Sequence, residues 1–119
     1  MKRDMELVRQ ILLKTEQNTE VDGWIDLDIE GHAPEEVSYH VKLLADAGLL
    51  EAQDLTTTEE FEWKPKSLTW NGHEFLDAAR NETIWKKTTE IVKDKGGSIP
   101  FEVLKDLLIK VATTFFGVS

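Results

Sequence analysis

Between Asp26 and His40 the chain gathers side chains that readily bind cations or move protons: Asp26, Asp28, Glu30, His32, Ser38 and His40. Three chemistries use such side chains. The run Asp26-x-Asp28-x-Glu30-Gly31 copies the first half of a calcium-binding EF-hand loop, where alternating carboxylates converge on the ion and a glycine makes the turn. Such a loop needs a bidentate Glu at its twelfth position, and here that position is Val37. No helix leads directly into the run, so a solvated strand face is the expected role. A zinc site needs four well-placed nitrogen or sulfur ligands. The chain has three histidines, His32, His40 and His73, spread over separate elements, and no cysteine. His40 is expected at the edge of a core and His73 at a helix start. Finally, Ser38, His40 and an Asp26/Asp28 carboxylate have the side-chain types of a hydrolytic set. Ser38, however, falls mid-helix rather than on an exposed elbow, and nothing supplies an oxyanion hole. Neither metal, cofactor nor enzyme activity is expected.

Other motifs are read the same way. Gly96-Gly97 lacks the surroundings of a phosphate-binding loop and marks a helix stop. The tryptophans Trp24, Trp63, Trp70 and Trp85 have the π-faces to stack on bases, but each falls where a core aromatic is expected.

The elements that must position these residues are organised around Glu35–Ala52. Val37, Val41 and Leu44 form one apolar helical stripe, with His40 and Ala47 at its margins; Ser38, Lys42 and Asp46 are expected away from it. Gly48 suits a helix end that needs positive φ. Leu49 and Leu50 then return the chain to the core as a strand. Upstream, Asp4–Glu16 reads as a helix capped by or beginning at Asp4, with Met5, Leu7, Val8, Ile11 and Leu12 inward and Glu6, Arg9, Gln10 and Lys14 outward. Val21–Gly31 alternates as a half-buried strand, with Trp24 anchoring its start. Pro34 opens the next helix, and Glu35 and Glu36 suit its N-terminus. A standard helix-turn-helix would place another full helix before this one, so the pair is abbreviated.

Downstream, Leu50–Asp54 and Phe61–Lys64 read as a hairpin around Thr56-Thr57-Thr58, with Pro65 confining the second strand to an edge or ending it. The next helix opens near Thr69, capped by Asn71 with Glu74 or by Thr69 itself. Its apolar stripe runs through Phe75, Leu76, Ala79, Ile84, Thr88 and Ile91, with Asn81 a break point. Ser98 and Pro100 start a last helix reaching about Phe116. That helix is apolar over most of its girth, more than a small domain covers, so part of it is expected to bury against another chain.

The fold class expected is therefore α+β and mainly helical: a winged-helix-like domain with a small β-hairpin wing and extra C-terminal helices. Residues 1–95 form the core, and residues 96–119 form a helix packed on it or on a second subunit, within a single domain overall. The chain of 119 residues has no cysteine to staple it, so packing must hold it together. No leader peptide or membrane span is read from it, and a cytoplasmic location is expected.

Charge narrows the function. The net charge is −9. Residues 21–60 hold eleven acidic side chains against one basic, Lys42, while the segments on either side are nearly neutral. A DNA reader has the opposite arrangement, with cations on the groove-facing helix. The leading expectation is a non-enzymatic regulatory or adaptor module that associates with proteins, among them a partner with a basic surface or a second copy in a homodimer. The contact candidates are Glu35, Glu36 and Asp46, with Leu107, Leu108, Val111, Phe115 and Phe116 on the last helix. The alternative is a DNA-binding transcriptional regulator using Ser38, Tyr39, Lys42, Lys64 and Lys66.

Four ordered blocks carry a resemblance: MKRDMELVRQILLKTE, VSYHVKLLADAGLLEA, LTWNGHEFLDAARNETIW and KGGSIPFEVLKDLL. Together, from Met1 to about Gly117, the chain resembles an uncharacterised family of bacterial and prophage proteins, domain of unknown function 2513. The resemblance implies a small winged-helix protein without an established activity, and it carries over no functional residues. The central block alone is also similar to metal-sensing repressors, whose cysteine and histidine ligand sets are missing here.

Overall fold

The computed structural model describes residues 1–117. Among these residues, five helices and one hairpin follow in the order α1 (Met5–Glu16), α2 (Pro34–Asp46), β1 (Leu50–Asp54), β2 (Trp63–Leu68), α3 (Trp70–Ala79), α4 (Glu82–Asp94) and α5 (Phe101–Phe115). The fold is α+β, mainly helical and winged-helix-like. The chain divides into two compact units, Met1–Glu74 and the segment from Phe75 onward, with the boundary inside α3. The sequence reading puts a boundary at Gly96-Gly97 instead. α5 packs on α4, an element that the sequence reading places within the 1–95 core.

In the first unit α1 packs on α2, and both pack on the hairpin or its second strand. Asp4 caps α1 by accepting from the backbone N–H groups of Glu6 and Leu7 at 3.0 and 3.2 Å, which satisfies donors that a helix start leaves open. Leu7, Val8, Ile11 and Leu12 of α1 are buried with Val37, Val41 and Leu44 of α2, and Ile29, Leu49 and Leu50 complete the core. Each such side chain contributes about 1.5–3 kcal/mol of transfer free energy, offset by the entropy of ordering the chain. Arg9, expected outward, is buried instead and lies 3.9 Å from Glu6. Its long aliphatic stem makes that burial tolerable.

α2 ends in a Schellman motif. The Leu49 N–H donates to the Leu44 carbonyl and the Gly48 N–H to that of Ala45, at 2.9 and 3.0 Å, while Gly48 takes φ of 77°. Leu49 then fixes the start of α3. Its carbonyl accepts from the Thr69 N–H at 3.2 Å, and the Thr69 hydroxyl donates to the Gly48 carbonyl. Thr69, rather than Asn71, is the cap of α3: its Oγ1 accepts from the Gly72 N–H at 3.1 Å. Gly72 is buried against this junction, where an added Cβ would lie 1.9 Å from the Leu49 carbonyl oxygen.

Two expectations about strands change. Trp24–Ile29 is extended but forms no ladder, and one backbone bond ties it to the sheet, from Ile25 N–H to the Pro65 carbonyl at 2.9 Å. Antiparallel partners exchange two bonds, and Pro65 has no N–H to return. Pro65 also does not end β2. It is buried within that strand, opposite Ala52, where the register with β1 shifts. A proline is tolerated there because its nitrogen faces away from β1. A single turn over Ile29–His32, closed from His32 N–H to the Ile29 carbonyl at 3.2 Å, replaces the first helix of a standard helix-turn-helix.

In the second unit Asn81 splits what reads as one long stripe into α3 and α4, capping α4 through its side-chain oxygen and the Ile84 N–H at 3.1 Å. Ile84, Trp85 and Thr88 of α4 are buried, as are Leu104 and Leu108 of α5. The rings of Phe75 and Phe101 meet at 4.9 Å.

Gly72→Ala should destabilise the protein by about 2–4 kcal/mol in urea unfolding, because the clash is with backbone. Gly48→Ala meets no atom and should cost only the strain of its positive φ, about 1–2 kcal/mol. Equal losses would show that α3 can shift away from Leu49.

Candidate functional site

The side chains with chemical potential turn out to be mostly structural. His40 is fully buried. Its Nε2 accepts from the Asp4 N–H at 2.8 Å, and its Nδ1–H donates to the Glu36 carbonyl at 2.9 Å. Both ring nitrogens are therefore used to pin the start of α1 to α2, and the partners assign the neutral tautomer. Ser38 is also buried and does not face a groove. Its Oγ accepts from the Trp63 N–H at 3.1 Å and donates to the Trp63 carbonyl at 3.4 Å. This removes Ser38 from the DNA-contact candidates and from any hydrolytic set, because its hydroxyl completes the first residue of β2. Asp26 lies on the exposed side of the extended segment and pairs with Lys64. Among the described residues no group of three His, Asp or Glu converges in a way that would hold a metal ion.

What the first unit offers is a charged surface built on α2 and the hairpin. Glu35 is exposed, and Glu36 is half-buried and bonded to His32. Lys42 donates to Asp46 across one helical turn at 2.9 Å. Tyr39 is half-buried with its ring edge-on to His40. Thus two of the three lysines proposed for DNA, Lys42 and Lys64, are tied to aspartates, and Lys66 is half-buried with no ion pair among the described residues. At the hairpin tip the hydroxyl and then the N–H of Thr56 hold the Asp54 carboxyl below the usual carboxylate range. Lys42 and Lys64 are raised above the ordinary lysine value, each first by the hydrogen bond to its aspartate.

The tryptophans divide. Trp85 is buried and Trp63 half-buried, as expected of core aromatics, but Trp24 is 48% and Trp70 79% exposed. The exposure of Trp70 follows from its cap. With Thr69 as the N-cap, Trp70 is the first helical residue and has no preceding turn to lie against. Reading the cap correctly would have found it.

The last helix presents a second surface. Leu108 is fully buried, which takes it out of the contact candidates, and Leu107 and Val111 are half-buried. Phe115 and Phe116 are exposed, with their rings edge-to-face at 5.2 Å. An open groove of about 480 Å3 runs between α4 and α5, lined by Lys87, Ile91, Lys110, Val111, Thr114 and Phe115. The Lys87 ammonium stands 5.6 Å from the centre of the Phe115 ring, within cation–π range.

Two outcomes test this geometry. His40→Leu should lower stability by about 1–3 kcal/mol in urea unfolding, since it leaves the half-buried Asp4 N–H without an acceptor. Asp26→Asn should let the Lys64 ammonium titrate closer to the ordinary lysine value, read by NMR of its Cε–Hε signals. The sign for stability follows. A raised lysine contributes fully below its unfolded value and loses the contribution as pH climbs through the folded one. The alkaline limb of the wild-type stability curve should therefore flatten in the Asn variant, with the acid limb governed by other groups such as the depressed Asp54.

Among the described residues no helix is long and apolar enough to cross a membrane. A Haemophilus influenzae protein described as uncharacterized is 41% identical over 108 residues, which covers 90% of this chain and 92% of that protein. No solved structure matches the chain. The family described as "Hypothetical protein (DUF2513)" matches residues 2–98, the larger part of the chain, and the chain belongs to that family.

Proposed function

We propose that this is a non-enzymatic winged-helix regulatory or adaptor module of bacterial or prophage origin, acting in the cytoplasm by binding protein through the acidic face of α2 and the hairpin. One observation carries the reading: two of the three cations a DNA reader would direct at phosphates are already bonded to aspartates, Lys42 to Asp46 and Lys64 to Asp26. Releasing them to DNA would expose both aspartates to the phosphate backbone, adding repulsion where counterion release must supply the affinity. Residues 21–60 hold eleven acidic side chains, and such a surface steers toward a partner of opposite sign. Glu35, Glu36 and Asp46 are its contact candidates.

The test is a pair of titrations followed by the exposed tryptophans, Trp24 and Trp70. At about 50 mM salt an arginine-rich helical peptide should bind and weaken as salt rises, while random duplex DNA should not bind. The triple variant Glu35→Lys, Glu36→Lys, Asp46→Lys should lose most of the peptide affinity, at least tenfold. Duplex binding by the wild type with a steep salt slope would instead support the regulator that reads DNA through Tyr39, Lys42, Lys64 and Lys66.

A further inference from the structure

The outward face of α5 carries a pattern that is complementary to itself. Opposite the buried pair Leu104 and Leu108, the residues Val103, Asp106, Lys110 and Thr113 recur at i, i+3, i+7 and i+10, one stripe along the helix. Asp106 and Lys110 are both exposed, Lys110 standing where this face meets the rim of the α4–α5 groove, and neither has an ion pair among the described residues, although they stand four apart on one helix. Val103 is 50%, Ile109 47% and Phe116 64% exposed. Helices left apolar on an outer face need a cover.

We infer that α5 pairs antiparallel with α5 of a second copy of this chain, about a two-fold axis level with Leu108. In a two-fold pairing the same patch meets itself with its ends exchanged. An axis at that level sets Asp106 against Lys110 of the second copy, and Lys110 against its Asp106, two reciprocal ion pairs. Val103 then faces Thr113 of the second copy. Ile109 and Leu107, one residue to either side of the axis and on opposite flanks of the stripe, each meet their own equivalent. A parallel pairing would instead set Asp106 against Asp106 and Lys110 against Lys110. Charge thus selects the orientation, and the apolar flanks supply the contact.

The exposed apolar side chains of this face are only Val103 and Ile109, with Phe116 beyond its end, too few to fill the ~800 Å2 per partner of a standard interface. The dimer is therefore weak and dependent on concentration. The inference is independent of the acidic face described above. That face lies in residues 1–74 and this one beyond, so either can fail alone.

Sedimentation equilibrium of the full chain from about 10 to 500 μM should show a monomer–dimer equilibrium. Asp106→Lys and Lys110→Asp should each weaken it at least tenfold, with circular dichroism confirming an unchanged fold. Each of these variants sets like charges together twice. Mixed one to one, they set the paired lysines of the first variant against the paired aspartates of the second, so the mixture should dimerise where neither component does. The double variant Asp106→Lys, Lys110→Asp should dimerise like wild type. A wild type that stays monomeric throughout, single variants as dimeric as wild type, or a mixture that fails to associate would each overturn the inference.

Discussion

The backbone at Gly48-Leu49 is where the first unit is held together. Three elements meet on these two residues. α2 ends there because Gly48 accepts a positive φ. β1 begins one residue later at Leu50. α3 starts against the same peptide, with Thr69 bonded to both carbonyls and Gly72 kept bare to fit beneath one of them. The constraint is one of space as much as of hydrogen bonding. A helix N-terminus approaches a carbonyl this closely only where a side chain is missing, so one glycine bends the chain and another lets it come near.

Much of this was legible because it is local. The Schellman ending at Gly48, the Asp4 cap and the apolar stripe Val37–Val41–Leu44 depend on neighbours within a turn or two, and periodicity reports those directly. The departures all involve partners far away in sequence. Ser38 sits on the polar side of its helix by spacing, yet the hairpin folds over it, and Trp63, twenty-five residues on, takes its hydroxyl. Arg9 falls on the solvent side of α1 by the same spacing, and it too is covered. The segment Trp24–Ile29 alternates like a strand and does bury Ile29, but its would-be neighbour is a proline. In each case the pattern gave the face, and a tertiary contact decided what that face met.

The candidate site was legible in charge and not in chemistry. A count of acids and bases is enough to locate an electronegative segment, but it does not say whether a lysine within it is available. Lys42 and Asp46 are four apart on one helix, so their pairing could be read from spacing. Lys64 and Asp26 are thirty-eight apart, and only the extended segment lying along β2 brings them together. The histidine and the serine of α2, which have the look of catalytic parts, serve instead as fasteners between elements. Reactive side-chain types are also good at satisfying buried backbone.

The proline in β2 has a bearing on how copies of this protein can meet. A two-stranded sheet has two open margins, and an unguarded margin recruits strands from neighbouring molecules and seeds aggregation. Here the outer margin of β2 interrupts its donors at Pro65 and is shielded by the chain around Ile25, while β1 carries the charges of Glu51 and Asp54. Edge-to-edge growth into fibrils is discouraged on both sides, and any ordered self-recognition falls to helices, whose backbones are already spoken for.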